Sequence, residues 1–193
     1  MKKLALTAAL SLVAGPALAH TGHGDAQGFL HGFLHPLTGA DHLLAMLAVG
    51  LWSGFVLPNR FWAGAATFLA AMAAGAGMSW AGIGFPAVET MILGSLILFG
   101  MLVLAARPGQ SRWITLASLG MTALFASAHG FAHASEATGS VATYLAGFLA
   151  STLAIHLVGI GIARRVADRS IARIAQGALG LVIAGSGLLM MAG

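Results

Sequence analysis

The stretch Pro86–Ala106, read PAVETMILGSLILFGMLVLAA, decides the fold class. Its one charged residue, Glu89, stands near the start, and none follows. As a helix it rises about 31 Å at roughly 1.5 Å per residue, enough to cross a hydrocarbon core of about 30 Å. Five more stretches read the same way: Leu37–Leu57, Phe61–Gly82, Trp113–His129, Val141–Ala163 and Ala172–Ala192. Breakers such as Pro58-Asn59-Arg60 and Arg107-Pro108-Gly109 separate them. The connections are too short for a soluble domain. Composition agrees: of 193 residues 59% are hydrophobic and 7% charged, where soluble domains carry about 25% charged residues. Mean hydropathy is +0.92. Lipid is therefore the solvent for this chain.

Residues 1–19 read as a cleavable secretory signal. Lys2 and Lys3 form a positive start, Leu4–Ala14 a short apolar run, Gly15-Pro16 a break and Ala17-Leu18-Ala19 a cleavage site. The apolar run is too short to span, so the mature chain is expected to begin at His20. Residues 20–193 then form one transmembrane domain. A cleaved signal leaves the new N-terminus outside, and the connections after spans one, three and five face the cytoplasm. Those connections hold Arg60, Arg107, Arg112, Arg164, Arg165, Arg169 and Arg173, while the outer ones near Ile83 and Phe131–Thr138 hold no Lys or Arg. That is the positive-inside pattern. The expected fold is an all-α membrane protein: a six-transmembrane-helix bundle after a cleaved signal peptide, with both mature termini periplasmic. The signal and the membrane content place it in a bacterial inner membrane.

Absences exclude several classes. With no cysteine there is no disulfide, zinc-thiolate site or thiol catalysis. A formal charge of +4 does not make a nucleic-acid binder, because the arginines are scattered and lack an aromatic-lined stripe. Glycines such as Gly64, Gly75, Gly77, Gly177 and Gly180 are expected to let helices pack closely.

Titratable groups in lipid are expensive and mark function. Apart from Asp168, every histidine and acidic residue falls on the outer side or within a span. His20, His23, Asp25 and His31 precede span one, and His35-Pro36-Leu37-Thr38-Gly39-Ala40-Asp41-His42 leads into it. Pro36 is expected to start or kink the span, and Gly39 to free carbonyls there. The positive end of the helix dipole disfavours a cation, which Asp41 offsets. Glu89 begins span three, either capping its helix or facing the pathway. Ser127–Glu136 reads SAHGFAHASE. If helical, it places His129, His133 and Glu136 at i, i+4 and i+7 on one face; otherwise His133 and Glu136 belong to a hydrated loop. His156 lies deeper, in span five, and reads as a relay or as a hydrogen-bonding partner for a neighbouring helix. Imidazole and carboxylate ligands without thiolate suit late first-row divalent ions. Magnesium and calcium would call for more carboxylates. The methionines read as packing. An intramembrane zinc-dependent hydrolase using the same histidines is the alternative.

The segment from His35 to His42, continued by LLAMLAVGLW, resembles the first-helix signature of the HupE/UreJ family of nickel and cobalt permeases. His129-Gly130-Phe131-Ala132-His133-Ala134-Ser135-Glu136 is similar to that family's second motif, departing from it at Ala134, where glycine is expected. The resemblance covers nearly the whole chain. It implies import of Ni2+, or Co2+, as transported substrate for hydrogenase or urease maturation, with no prosthetic group. It also implies functional weight on His35, Asp41, His42, Glu89, His129 and Glu136. His20, His23, His31 and His156 are secondary metal-contact candidates. The expected partners are the metal ion and the bilayer. A homo-oligomer and a cytoplasmic metal acceptor remain open from the sequence.

Overall fold

A computed structural model describes residues 25–135, 137, 140–167 and 169–192. The expected signal peptide, His20, His23 and Glu136 lie outside the described residues. Those described form seven helices and no strand: α1 (Asp25–Thr38), α2 (Ala40–Val56), α3 (Ala63–Trp80), α4 (Val88–Ala105), α5 (Arg112–Ser135), α6 (Val141–Val166) and α7 (Ala172–Ala192).

Four of these, α4 to α7, are long and apolar enough to cross a membrane, and α1 with α2 passes as one bent span. Helix α3 is built largely of alanine and glycine, which gives it less apolar weight per residue. Large apolar side chains stand on outer faces, among them Trp113 at 79%, Leu189 at 76% and Ile174 at 71% exposure. Water would penalise such faces, whereas lipid accepts them. The chain is a multi-pass membrane protein.

Helix α2 is the axis of the bundle. It is buried almost throughout from Ala45 to Val56 and packs on α6, α4 and α3. Around it α3 pairs with α5, α4 with α7, and α1 with α6. The α3–α5 pair meets backbone to backbone: a Cβ on Gly75 would fall on the Ser127 carbonyl, and one on Gly130 on the Met72 carbonyl. That contact sets how α5 is rotated, and so where its histidines point.

The arginine-bearing connections gather at one end. The Arg164 guanidinium lies 4.5 Å over the Phe61 ring, and Arg173 Nη1 donates to Ala106 O at 3.2 Å. Gln176 Nε2 reaches Val103 O at 2.7 Å and Ala106 O at 2.8 Å. These bonds satisfy the terminal carbonyls of α4, which have no partner within their own helix.

Two expected boundaries are corrected. Pro36 neither starts nor breaks the first span; it lies inside α1, and the chain turns at Gly39, where α1 and α2 meet at 81°. In the last turn of a helix a proline removes one donor without disrupting a following ladder, so the break falls at the extended glycine. The helix that carries the fourth span does not end at His129. Helix α5 runs on to Ser135, which makes His133 a buried helical residue, 4% exposed, and not part of a hydrated loop.

Candidate metal site

The break at Gly39 (φ −90°, ψ 114°) creates two helix ends, partly exposed at residues 37–40 and half-buried at Asp41 and His42. His35 occupies the last turn of α1, and Asp41 and His42 the first turn of α2. The carbonyl end of α1 carries partial negative charge and favours a cation. The amide end of α2 does the opposite, and the Asp41 carboxylate answers it, with Oδ1 accepting the His42 backbone N–H at 2.9 Å. Thr38 Oγ1 donates to His35 O at 2.8 Å, occupying one of the free carbonyls of α1.

Helix α5 supplies the facing wall. His129 and His133 are one turn apart and share a face. The His42 ring lies 5.0 Å from that of His129 and 4.3 Å from that of His133. One nitrogen of each of the three imidazoles lies within 4.8 Å of the other two. Metal–imidazole bonds of about 2.0–2.1 Å mean that a small rotation of these rings closes them on one ion.

The surroundings of two of the three rings favour one nitrogen over the other. Ser95 Oγ donates its single proton to Ile92 O at 2.6 Å and so accepts from His129 Nε2 at 3.0 Å. His129 Nδ1, buried and without a hydrogen-bond partner among the described residues, is left as the donor to a metal. Asp41 Oδ1 lies 2.8 Å from His42 Nδ1. The pair is close but not aligned as a hydrogen bond, and its electrostatics favour a proton on Nδ1 and a free lone pair on Nε2. Carboxylate-oriented and hydroxyl-oriented imidazoles of this kind are usual around bound metals.

Aromatic rings enclose the trio. Phe148 lies 4.3 Å from the His133 ring, and Phe68 lies 5.7 Å from that of His129; both are buried. A line of rings leads outward: His35 is 4.7 Å from His133, and the exposed His31 is 6.1 Å from His35 and 5.4 Å from Tyr144. Burial rises along that line, with His42 at 12% exposure and His129 at zero.

Of the expected site residues, the structure joins His42, His129 and His133, with Asp41 and His35 against them. Glu89 stays exposed in the first turn of α4, outside the trio. His156 is fully buried on α6, its ring 4.9 Å from the far neighbour of His129, Phe68. Sequence reading missed Ser95, Phe68 and Phe148. Ser95 had a signal, a hydroxyl within an otherwise apolar span. The two phenylalanines had none, since aromatic residues are ordinary in such helices.

Ser95 acts through His129, so its loss is expected to weaken metal binding roughly 10–100-fold. Metal titration of purified Ser95→Ala checks this, and Ser95→Thr, which keeps the hydroxyl, should recover most of the affinity. Equal affinity in Ser95→Ala and wild type would show that the tautomer of His129 does not depend on Ser95.

Residues 8–190 match the family described as HupE / UreJ protein. Protein HupE of Rhizobium leguminosarum bv. viciae is 39% identical over 196 residues, covering 98% of this chain and 100% of that protein. No solved structure matches. Both comparisons run through the broken first span and the histidine face of α5, and the chain belongs to the HupE/UreJ family.

Proposed function

We propose that this protein is an inner-membrane permease for divalent transition-metal ions, with Ni2+ as the favoured substrate and Co2+ as the close second. The observation that carries the reading is the convergence of His42, His129 and His133 beside Asp41 at the break in the first span. Neutral imidazoles and a carboxylate match late first-row divalent ions, and a broken helix lining an ion site is a transporter device. Membership of the HupE/UreJ family supports metal import for hydrogenase or urease maturation.

In this reading the leader is removed and six spans remain, α1 and α2 forming the first and α3 the second. The histidine end faces the periplasm and the arginine end the cytoplasm, as the positive-inside rule favours. His31 and His35 collect the ion, Glu89 draws it toward the mouth, and His20, His23 and Glu136 add ligands there. The trio then replaces part of its water shell.

Uptake of radiolabelled nickel by cells expressing the chain, compared with empty cells, tests the reading; no uptake above background would refute it. Imidazole binds metal only when neutral, and its pKa in free peptides is near 6.5. Uptake is therefore expected to be steady above about pH 7 and to fall as pH drops toward about 5.5. A flat profile over that range would mean that imidazoles do not capture the ion.

A further inference from the structure

Behind Phe68, a group of polar side chains on α6 takes no part in the trio. Ser151, Thr152 and His156 are 1%, 0% and 0% exposed. His156 Nδ1 lies 2.7 Å from Thr152 O. A carbonyl only accepts, so Nδ1 carries the proton and Nε2 the lone pair. That Nε2, Ser151 Oγ and Thr152 Oγ1 are all buried without a hydrogen-bond partner among the described residues. Three such atoms within one short stretch of helix far exceeds the few per hundred residues found in native proteins. In a membrane, where stray water is scarce, the excess is harder still to leave unanswered.

Position adds to chemistry. Phe68 contacts both His129 and His156, so one ring separates the innermost imidazole of the trio from the next imidazole. Thr152 and His156, one turn apart, share a face of α6. Helix α2 presses on α6 at this level: a Cβ on Gly159 would meet Leu47 O at 2.6 Å, and Gly50 abuts the His156 carbonyl. So close a backbone contact holds the rotation of α6 and keeps His156 facing inward.

We propose that Thr152 and His156 form an inner station for the transported divalent transition-metal ion. His156 Nε2 supplies the nitrogen ligand, the Thr152 hydroxyl holds a water that the ion retains, and Phe68 is the apolar partition between this station and the trio. The inference rests on the permease reading. One imidazole with one hydroxyl binds more weakly than three imidazoles beside a carboxylate. An ion passed to it is held loosely enough to leave, as conduction through successive sites requires.

The test uses the full chain, purified for Ni2+ equilibrium dialysis and reconstituted in liposomes for radiolabelled Ni2+ uptake. His156→Asn keeps an amide N–H for Thr152 O and places nothing at Nε2. It is expected to lose the weaker Ni2+ site while the tighter site of the trio keeps its affinity within about twofold of wild type, and uptake falls at least about tenfold. His156→Gln, with an amide oxygen near the Nε2 position, should recover part of the uptake. Wild-type uptake by His156→Asn would overturn the proposal. So would loss of the tighter site together with uptake, which would make His156 a support of the trio or of the fold. If wild-type liposomes took up no Ni2+, the permease reading itself would fail before any variant was compared.

Discussion

Nickel uptake by cells carrying His42→Ala is expected to fall at least about a hundredfold, at membrane protein levels matched to wild type. Of the three imidazoles, His42 is the one contributed by the broken span, and its ring is close to both His129 and His133. Its removal leaves two ligands on a single helix face and strands Asp41, whose carboxylate lies 2.8 Å from His42 Nδ1. An ion that has given up part of its hydration for three nitrogens would not do so for two, and losing even an outer partner typically costs 10–100-fold. Since His42 is only partly buried, alanine there leaves little cavity and the protein should insert normally. His31→Ala, on an exposed residue at the outer end of the line of rings, is expected to lower uptake only about two- to threefold. Unchanged uptake in His42→Ala would remove the trio from the transport path.

The second large effect concerns a residue that touches no metal. Glycine to alanine inside a helix ordinarily stabilises by about 1 kcal/mol. At Gly130 the sign is expected to reverse, because a Cβ there would strike the Met72 carbonyl of α3, and backbone cannot yield as a side chain can. Overpacking of this kind costs roughly 1–3 kcal/mol or more. The relief available is a separation of α3 from α5, which would swing His129 and His133 on either side of the glycine away from His42. Thermal melting of Gly130→Ala in detergent should be lowered by several degrees, and Ni2+ affinity should drop with it. Gly120 serves as the control on the same helix: nothing lies within 4 Å of a Cβ there, so Gly120→Ala should melt at or above the wild-type temperature. Equal melting of the two variants would show that the α3–α5 contact does not position the site.

The two glycines look alike in the sequence, and the same gap separates what could be read along the chain from what could not. The histidine and aspartate of the first span, and the paired histidines of Ser127–Glu136, were legible because ionisable groups are rare in apolar runs. Their i, i+4 spacing predicts a shared face once the segment is helical. The end of α5 was not legible. The run from Ala128 to Ser135 is polar enough to read as a loop, and its helix depends on packing: His133 is buried against Phe148 from α6 and His35 from α1. Glu89 and His156 carry similar cost in lipid. Yet the first stands exposed and the second is wholly buried, a difference set by which side of each helix meets a neighbour.

The sequence by itself determined that this protein is helical, that lipid surrounds it, and that its arginines gather in or beside alternate connections while its histidines lie in or beside the apolar runs. These properties follow from local run length and from the position of charges relative to apolar runs, and both are written in linear order. Only the tertiary structure decided which imidazoles meet, which ring nitrogen two of them present and what stands between them. Those outcomes depend on the rotation of α5 and α6 about their own axes. The rotations are set by backbone contacts between distant residues, Gly130 with Met72 and Gly50 with His156, which no local pattern encodes.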